Sequence, residues 1–224
     1  MHVGRKMTTD LITVTSDTPL VSARDLLRER NIKQLPVVDD QGNLVGILTD
    51  RDIKQAWASP ATTLSIYELT YVLQKLTVES VMVKDLITIT PDATIERAAK
   101  ILHDRKIGSL PVVEDDKLVG IITSTDLMEV LLDGLGVKEE SGRLEVLVRD
   151  RIGVLAGVCN ILREANISIV SMVTLPLHMY PGIFELVIRV NAPDRETAVE
   201  RLSQAGYRVI TEYKKDLEPF LPAE

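Results

Sequence analysis

The chain of 224 residues has a single cysteine, Cys159, so no disulfide can close within it, and a reduced, cytoplasmic setting is expected. It has no dense run of Lys and Arg, and its net charge is −7. Binding along a nucleic acid neutralises phosphates with clustered cations, so nucleic acid is not an expected partner. No segment approaches the roughly 18–20 apolar residues of a membrane span, so no membrane is expected either. The opening Met-His-Val-Gly-Arg-Lys has no apolar run behind it, and a signal peptide is not expected. Catalytic signatures are missing too. The three histidines, His2, His103 and His178, form no metal-spaced pair, and no P-loop, Gly-x-Ser-x-Gly or His-Glu-x-x-His occurs. Cys159 stands beside Val158 on an apolar helical face and reads as core rather than nucleophile. No catalytic residue, metal site or required cofactor is expected.

What is present is a repetition. Residues 7–38 lie over residues 82–113 without a gap, and almost half of the paired positions are identical, from Asp10-Leu11-Ile12-Thr13 over Asp85-Leu86-Ile87-Thr88 to Leu35-Pro36-Val37-Val38 over Leu110-Pro111-Val112-Val113. One residue is then lost in a turn, after which Leu44-Val45-Gly46-Ile47-Leu48-Thr49 matches Leu118-Val119-Gly120-Ile121-Ile122-Thr123. A unit of this length buries its apolar face against its copy. Two copies predict one pseudo-twofold module with two related clefts.

Each copy reads strand, helix, strand, strand, helix. In the first, residues 11–15 form a short apolar strand. Leu20, Ala23 and Leu27 follow at helical spacing, with Pro19 suited to the first turn. Residues 35–38 and 44–48 are strands around the turn 39–43, and Ile53, Ala56 and Trp57 continue as a helix. In the second, the strands are 86–90, 110–113 and 118–122, with helices through Ile95, Ala98 and Leu102 and through Leu127, Val130 and Leu131. Between the copies, residues 59–63 break the first helix, and Thr63 or Ser65 can cap another over residues 67–76. The remaining segment has a different order. Leu144, Val146 and Val148 alternate as a strand, and Val154, Leu155, Val158, Ile161 and Leu162 form a helical stripe. Residues 167–175 make a β-branched strand, and Phe184 to Val190 alternate as another. Ala198 and Leu202 mark a helix, and 207–211 a last strand. This β-α-β-β-α-β order packs two helices on one face of a four-stranded antiparallel sheet. The domain boundaries read as 1–62 and 82–132 for the repeats, with a helical linker at 63–81. A Gly- and charge-rich linker at 133–142 leads to the last domain at 143–212, and 213–224 is a loosely ordered tail.

The L-I-T-[VI]-T, I-x-x-L-P-V-V and G-[IL]-x-T-x-x-D motifs, each in two copies, resemble CBS domains, a pair of which forms a Bateman module. Residues 143–212 resemble an ACT domain through D-R-x-G-V-L-A-x-V…L…A-N-I-x-I. The order of two CBS repeats and one ACT domain is similar to the acetoin-utilisation protein B type. The resemblance implies an α/β (α+β) fold, a pseudo-twofold Bateman module followed by a ferredoxin-like βαββαβ domain.

In the CBS family the Ser/Thr-x-x-Asp motif meets adenosine ligands, the aspartate taking the ribose hydroxyls. The resemblance places these roles on Thr49 and Asp52 and on Thr123 and Asp126. It places adenine contacts on Ile12 and Thr13 with Lys33, Gln34 and Leu35, and on Ile87 and Thr88 with Gly108, Ser109 and Leu110. A carboxylate can accept from both cis hydroxyls of a ribose, and a helix N-terminus adds amide donors for phosphate. Thr-x-x-Asp at a helix start is also close to a capping box, in which both side chains satisfy backbone amides, and the two roles can coexist. Repeat 1 has Arg51 inside its motif and Lys54 beyond it, whereas repeat 2 has Ser124 and Thr125. The first cleft therefore suits a phosphorylated ligand, and the second a neutral nucleoside end or a phosphate bridging both.

ACT domains commonly bind amino acids beside the loop between first strand and first helix, often at a dimer interface. The matching residues are Asp150, Ile152, Gly153, Val154 and Leu155, with Asn166 as a further polar contact. Gly153 lets amides approach a carboxylate. Ile152 replaces the usual proline, and Val148 is apolar where some amino-acid-binding members are polar. A ligand site and a domain that only dimerises both remain open. The function expected is a non-enzymatic regulatory sensor binding an adenine nucleotide, with AMP, ADP, ATP, S-adenosylmethionine and cyclic di-AMP as candidate effectors. It is expected to be a homodimer and to act on a metabolic enzyme partner. The alternative is a scaffold or regulatory subunit without a ligand, or an enzyme with an unrecognised site.

Overall fold

The computed structural model describes residues 1–58, 75–137 and 140–222. The chain forms two compact units, Met1–Met128 and Glu129–Glu224. The expected break at 59–63, its Thr63 or Ser65 cap and nearly all of the 67–76 helix lie outside the described residues.

In the first unit, repeat 1 contributes α1 (Leu20–Glu29), β1 (Gln34–Val38), β2 (Leu44–Thr49) and α2 (Asp50–Ala58). Repeat 2 contributes α3 (Ile95–Arg105), β3 (Ser109–Glu114), β4 (Lys117–Thr123) and α4 (Ser124–Gly134). Leu20, Ala23 and Leu27 of α1 are buried, as are Ile95, Ala98 and Leu102 of α3. Pro19 stands one residue outside α1, at its N-cap. The hairpins are antiparallel and in equivalent register, with Gln34 opposite Thr49 and Ser109 opposite Thr123. The residue lost between the copies is absorbed in the hairpin turns. In the first, the Asp39 carboxylate accepts from the amides of Gln41 at 2.9 Å and Asn43 at 2.8 Å and from the Asn43 side chain at 2.9 Å. These bonds, led by the Asn43 side chain, hold the Asp39 carboxyl below its ordinary pKa. The second turn is tighter, with Asp115 and Asp116 both left-handed at φ 49° and 64°, as a two-residue hairpin turn requires.

The strands expected at 11–15 and 86–90 do not form. Each contracts to one parallel bridge, Val14 with Val37 and Ile89 with Val112. Val14 donates to the Pro36 carbonyl at 3.1 Å, and the Val38 amide donates to Val14 at 2.9 Å. The next rung would need an amide from Pro36, and proline has none. Pro111 stops the second copy in the same way, where Ile89 donates to its carbonyl at 3.1 Å.

The segment leading into each repeat belongs structurally to the other repeat. Thr8 exchanges both backbone bonds with Ile121 at 2.9 and 3.0 Å, while Val83 does the same with Ile47 at 2.9 and 3.0 Å. Val3, fully buried, donates to Ala93, and its counterpart Val78, fully buried in the repeat 1 core, donates to Thr18. Two glycines permit the close crossing. A Cβ on Gly46 would overlap the Met82 thioether, and one on Gly120 would overlap the Met7 thioether.

The second unit is the expected ferredoxin-like βαββαβ domain. Its elements are β5 (Ser141–Arg149), α5 (Val154–Glu164), β6 (Ile169–Pro176), β7 (Ile183–Asn191), α6 (Arg195–Gln204) and β8 (Val209–Ile210), with sheet order β6-β7-β5-β8. Leu144, Val146 and Val148 of β5, Leu186, Ile188 and Val190 of β7, Val158 and Leu162 of α5, and Ala198 and Leu202 of α6 form the core between sheet and helices. Cys159 is half-buried on α5, beside Val158. The strand expected at 207–211 contracts to two residues. Residues 216–222 of the tail are not loose. Leu217, Phe220 and Leu221 pack on Leu147, Ile183 and Ile210, across the sheet from the helices, and Arg208 donates to the carbonyls of Pro219 and Leu221 at 2.9 and 3.0 Å. Apolar side chains at three of these tail positions supply what a polar tail would lack.

The crossing is testable. Gly46→Ala is expected to cost about 1–3 kcal/mol in urea unfolding, as overpacking does. Gly46→Ala combined with Met82→Ala is expected to lose less than the sum of the two single changes, because the pair shares one contact.

Candidate functional site

The exchange of lead-in segments sets where the clefts lie. Residues 7–15 run from the repeat 2 hairpin, where Thr8 is bonded, to the repeat 1 hairpin, where Val14 is bonded. On the way they cross the front of the repeat 2 motif. Residues 82–90 cross the repeat 1 motif in the same manner. Each cleft is therefore walled by both repeats.

The first cleft has a volume of about 480 Å³. Repeat 1 gives it Ile47, Thr49, Asp50, Arg51 and Asp52. Repeat 2 gives it Asp85, Leu86 and Ile87, with Lys106, Gly108 and Ser109. The second, about 440 Å³, pairs Thr123, Ser124 and Thr125 of repeat 2 with Asp10, Leu11, Ile12 and Asn31 of repeat 1. Lys33, Gln34 and Gly108 line both. Both volumes fall within the range of small-molecule pockets.

This arrangement corrects the expected grouping in two respects. Ile12 does not join Thr49 and Asp52 of its own repeat but faces the repeat 2 motif, and Ile87 faces the repeat 1 motif. Five expected contacts line neither cleft. Leu35 and Leu110 are fully buried core residues. Thr13 is exposed, and Thr88 lines a separate hollow with Thr90, Arg97 and Asp116. The cause is the alternation of extended chain, which turns successive side chains to opposite sides, so Ile12, Gln34, Ile87 and Ser109 enter the clefts while the residues that follow them, Thr13, Leu35, Thr88 and Leu110, face away. Asp126 is half-buried at its helix start and is not among the lining residues of the second cleft.

Both motifs close as reciprocal capping boxes. Asp52 Oδ2 accepts from the Thr49 amide at 2.9 Å and from its hydroxyl at 2.5 Å, and the Asp52 amide donates to Thr49 Oγ1 at 3.2 Å. For Thr123 and Asp126 the three distances are 2.7, 2.8 and 3.2 Å. One carboxylate oxygen is used in each cap. The other oxygen of Asp52 remains to accept within the first cleft.

The clefts differ in charge at equivalent positions. Where the first has Arg51 and Lys106, the second has Thr125 and Asn31. Lys106 was not among the expected residues, because it belongs to the other repeat in sequence. It terminates α3 with φ 55°, a left-handed position that its counterpart Asn31 fills at φ 52°. Asparagine is among the side chains best suited to this conformation, and lysine is not. Lys54 does not line the cleft and pairs with Asp50 at 2.5 Å on the surface.

In the second unit a hollow of about 400 Å³ lies at the start of α5, lined by Val148, Asp150, Gly153, Val154 and Leu155 and by Thr174 and Phe184 from the sheet. Gly153 caps the helix at φ 87° with open space beside it. The Val154 amide at this end donates to the Arg151 carbonyl at 3.2 Å, and the next first-turn amides, of Leu155 and Ala156, have no helical acceptors. Ile152 is fully exposed and lines nothing. Asn166 also lies away from the hollow. It follows the far end of the helix, about 16 Å along the axis at 1.5 Å per residue, where its φ of 58° closes the helix. Thr174, unforeseen, is one of two hydroxyl residues, with Ser171, in a strand otherwise apolar.

No helix among the described residues is long and apolar enough to cross a membrane, and no group of three His, Cys, Asp or Glu side chains among them can hold a metal ion.

Two interlocked repeats with a cleft on each side of their axis, followed by a ferredoxin-like domain, define a tandem-repeat ligand module joined to a second small domain. The CBS domain family matches residues 2–59 and 78–133, and the ACT domain family matches 142–206. The chain belongs to the CBS-domain family, with an ACT domain after the pair. A CBS domain-containing protein of Dictyostelium discoideum is 35% identical over 131 residues, 58% of this chain and 90% of that protein. Inosine-5'-monophosphate dehydrogenase of Thermoplasma acidophilum is 38% identical over 53% of this chain, a match that spans 21% of the enzyme. Among solved structures, the acetoin utilization protein AcuB of Vibrio cholerae, itself described as putative, superposes with a TM-score of 0.53 at 30% identity, covering 62% of this chain and 96% of that one. The CBS domain pair of protein MJ0100, in complex with 5'-methylthioadenosine and S-adenosyl-L-methionine, gives 0.51 at 31% identity over 58% of this chain and 95% of that one. CBSX2 in complex with AMP gives 0.50 at 30% identity over 58% and 96%.

The caps are measurable without a ligand. Thr49→Ala and Thr123→Ala each remove the hydroxyl that accepts from a first-turn amide. Each is expected to lower stability by about 0.5–2 kcal/mol in urea titrations.

Proposed function

We propose that the paired repeats are a regulatory sensor for an adenosine-containing ligand and that the ACT domain relays and dimerises. The observation that carries this reading is the construction of the clefts. Each sets a helix start with its Thr-x-x-Asp motif against an apolar segment from the other repeat, both share Lys33, and the first adds Arg51 and Lys106. The apolar segment offers a surface for a base, Asp52 an acceptor for ribose hydroxyls, and the cations a phosphate seat. The adenosine ligands held by the CBS pairs of MJ0100 and CBSX2 support it. AMP, ADP, ATP, S-adenosylmethionine and cyclic di-AMP are the ligands to test. The first cleft takes the phosphorylated one, and the second a nucleoside end with little negative charge. Thr49, Arg51 and Asp52 with Ile87, Ser109 and Gly108 form the first site, and Thr123 with Ile12 and Lys33 the second, Asp126 holding Thr123 from behind. In the ACT domain, Asp150, Gly153, Val154 and Leu155 form a seat for a small carboxylate such as an amino acid. The regulated partner is a metabolic enzyme.

Asp52→Ala is expected to weaken AMP binding about ten- to hundredfold in calorimetric titration, the loss of a hydrogen bond to a charged group. Asp126→Ala, which breaks the second cap at a residue that does not line the second cleft, is expected to lower stability by about 0.5–2 kcal/mol with a smaller effect on affinity. Unchanged affinity in Asp52→Ala, with stability lowered, would leave that motif as a cap alone.

The dimer rests on β6, an edge strand of eight residues with Val170 and Leu175 exposed. Such an edge offers unpaired backbone groups to a second copy. Sedimentation equilibrium at micromolar concentration is expected to give twice the 24.9 kDa chain mass. A single species at 24.9 kDa removes the proposal.

A further inference from the structure

Lys33 and Gly108 are equivalent residues of the two repeats, and both line both clefts. One is a long cation and the other has no side chain. A Cβ built on Gly108 meets nothing within 4 Å, so open space lies at that point of the wall. The wall beside them is fixed. The Ser109 hydroxyl donates to Gln34 Oε1, again between equivalent positions, and Ser109 is buried at 6% exposure. The backbone of the pair is fixed as well, since the Lys33 carbonyl accepts from Asp50 and the Gly108 carbonyl from Ser124, both at 3.0 Å. What remains free to move is the exposed Lys33 side chain, four methylenes ending in three donors.

The supply of cations is unequal. The first cleft has Arg51 and Lys106 besides Lys33, facing Asp50, Asp52 and Asp85, whereas Lys33 is the only Lys or Arg among the described residues lining the second, facing Asp10. An anion in the second cleft depends on Lys33 more than one in the first does, yet both attract it. We infer that Lys33 is a single shared cation for which anionic ligands in the two clefts compete, so that occupancy by two phosphorylated ligands is antagonistic while one phosphorylated and one uncharged ligand bind independently. This rests on the nucleotide reading of the clefts and adds the sign and the residue of their coupling.

The test uses the full chain with AMP and adenosine as probes, which share base and ribose and differ in the phosphate. Val83→Trp and Leu86→Trp each fill the first cleft from a residue that lines it alone. Two blocked variants guard against the failure of one to fold. By calorimetry, AMP is expected to bind the second cleft about five- to tenfold more tightly when the first is filled by tryptophan than when it is filled by AMP, the lower range of coupling between sites. Adenosine is expected to show no such difference, and Lys33→Met is expected to erase it for AMP. A difference that survives Lys33→Met, that adenosine shares, or that is absent for AMP overturns the inference while leaving nucleotide binding in place. No binding of either probe overturns both.

Discussion

The first unit depends on the exchange of lead-in segments. Thr8 on Ile121 and Val83 on Ile47 are two pairs of backbone bonds, yet they decide which residues meet. Each repeat's core is completed by a buried valine that precedes the other repeat, so neither repeat closes on its own. Gly46 and Gly120 exist in this context because the methionines of the crossing segments lie directly on the strands. The same crossing places an apolar segment of one repeat in front of the motif of the other, and the clefts follow from it.

In the first cleft the atoms that cap a helix are also those the proposed ligand would meet. Thr49 and Asp52 close a cap in which the carboxylate accepts from the Thr49 amide and the Thr49 hydroxyl accepts from the first-turn amide of Asp52, and that carboxylate lines the cavity. A cap and a ligand contact are commonly treated as rival explanations for such a motif. Here one oxygen serves the helix and the second remains toward the cleft, and the cap holds the carboxylate in one orientation before any ligand arrives. Pre-organisation of this kind reduces the ordering cost of binding.

Much of this was legible in the sequence, for physical reasons that can be named. Helical stripes and alternating strands follow burial, and burial has a period, so α1, α3, β5 and β7 stand where their apolar residues recur. The repeat announced the pseudo-twofold arrangement. What failed was local in a different way. Residues 11–15 have strand composition, but the ladder they would extend meets Pro36 on the neighbouring chain, and composition alone does not see the partner's missing amide. Lys106 was invisible because proximity in sequence attached the search for cations to Arg51 and Lys54, while the crossing brought in a residue from the other copy. Asn166 looked like a ligand contact and is a helix terminator. The left-handed φ of Lys106, a position suited to asparagine or glycine, is a feature no periodicity reports.

The Ser109 and Gln34 pair carries a historical consequence. In a symmetric assembly of two identical repeats, every residue on the axis faces its own copy, so a serine would meet a serine and a glutamine a glutamine. A serine hydroxyl given to a glutamine carbonyl across that axis is a pairing that identical chains cannot make at both positions at once. The same holds for a lysine set against a glycine. Joining the two repeats in one chain released these positions from the requirement of self-complementarity, and from then on a change at one could be answered by a different change at the other. The asymmetry of the clefts is thus a property available to a fused gene and closed to a dimer of its half.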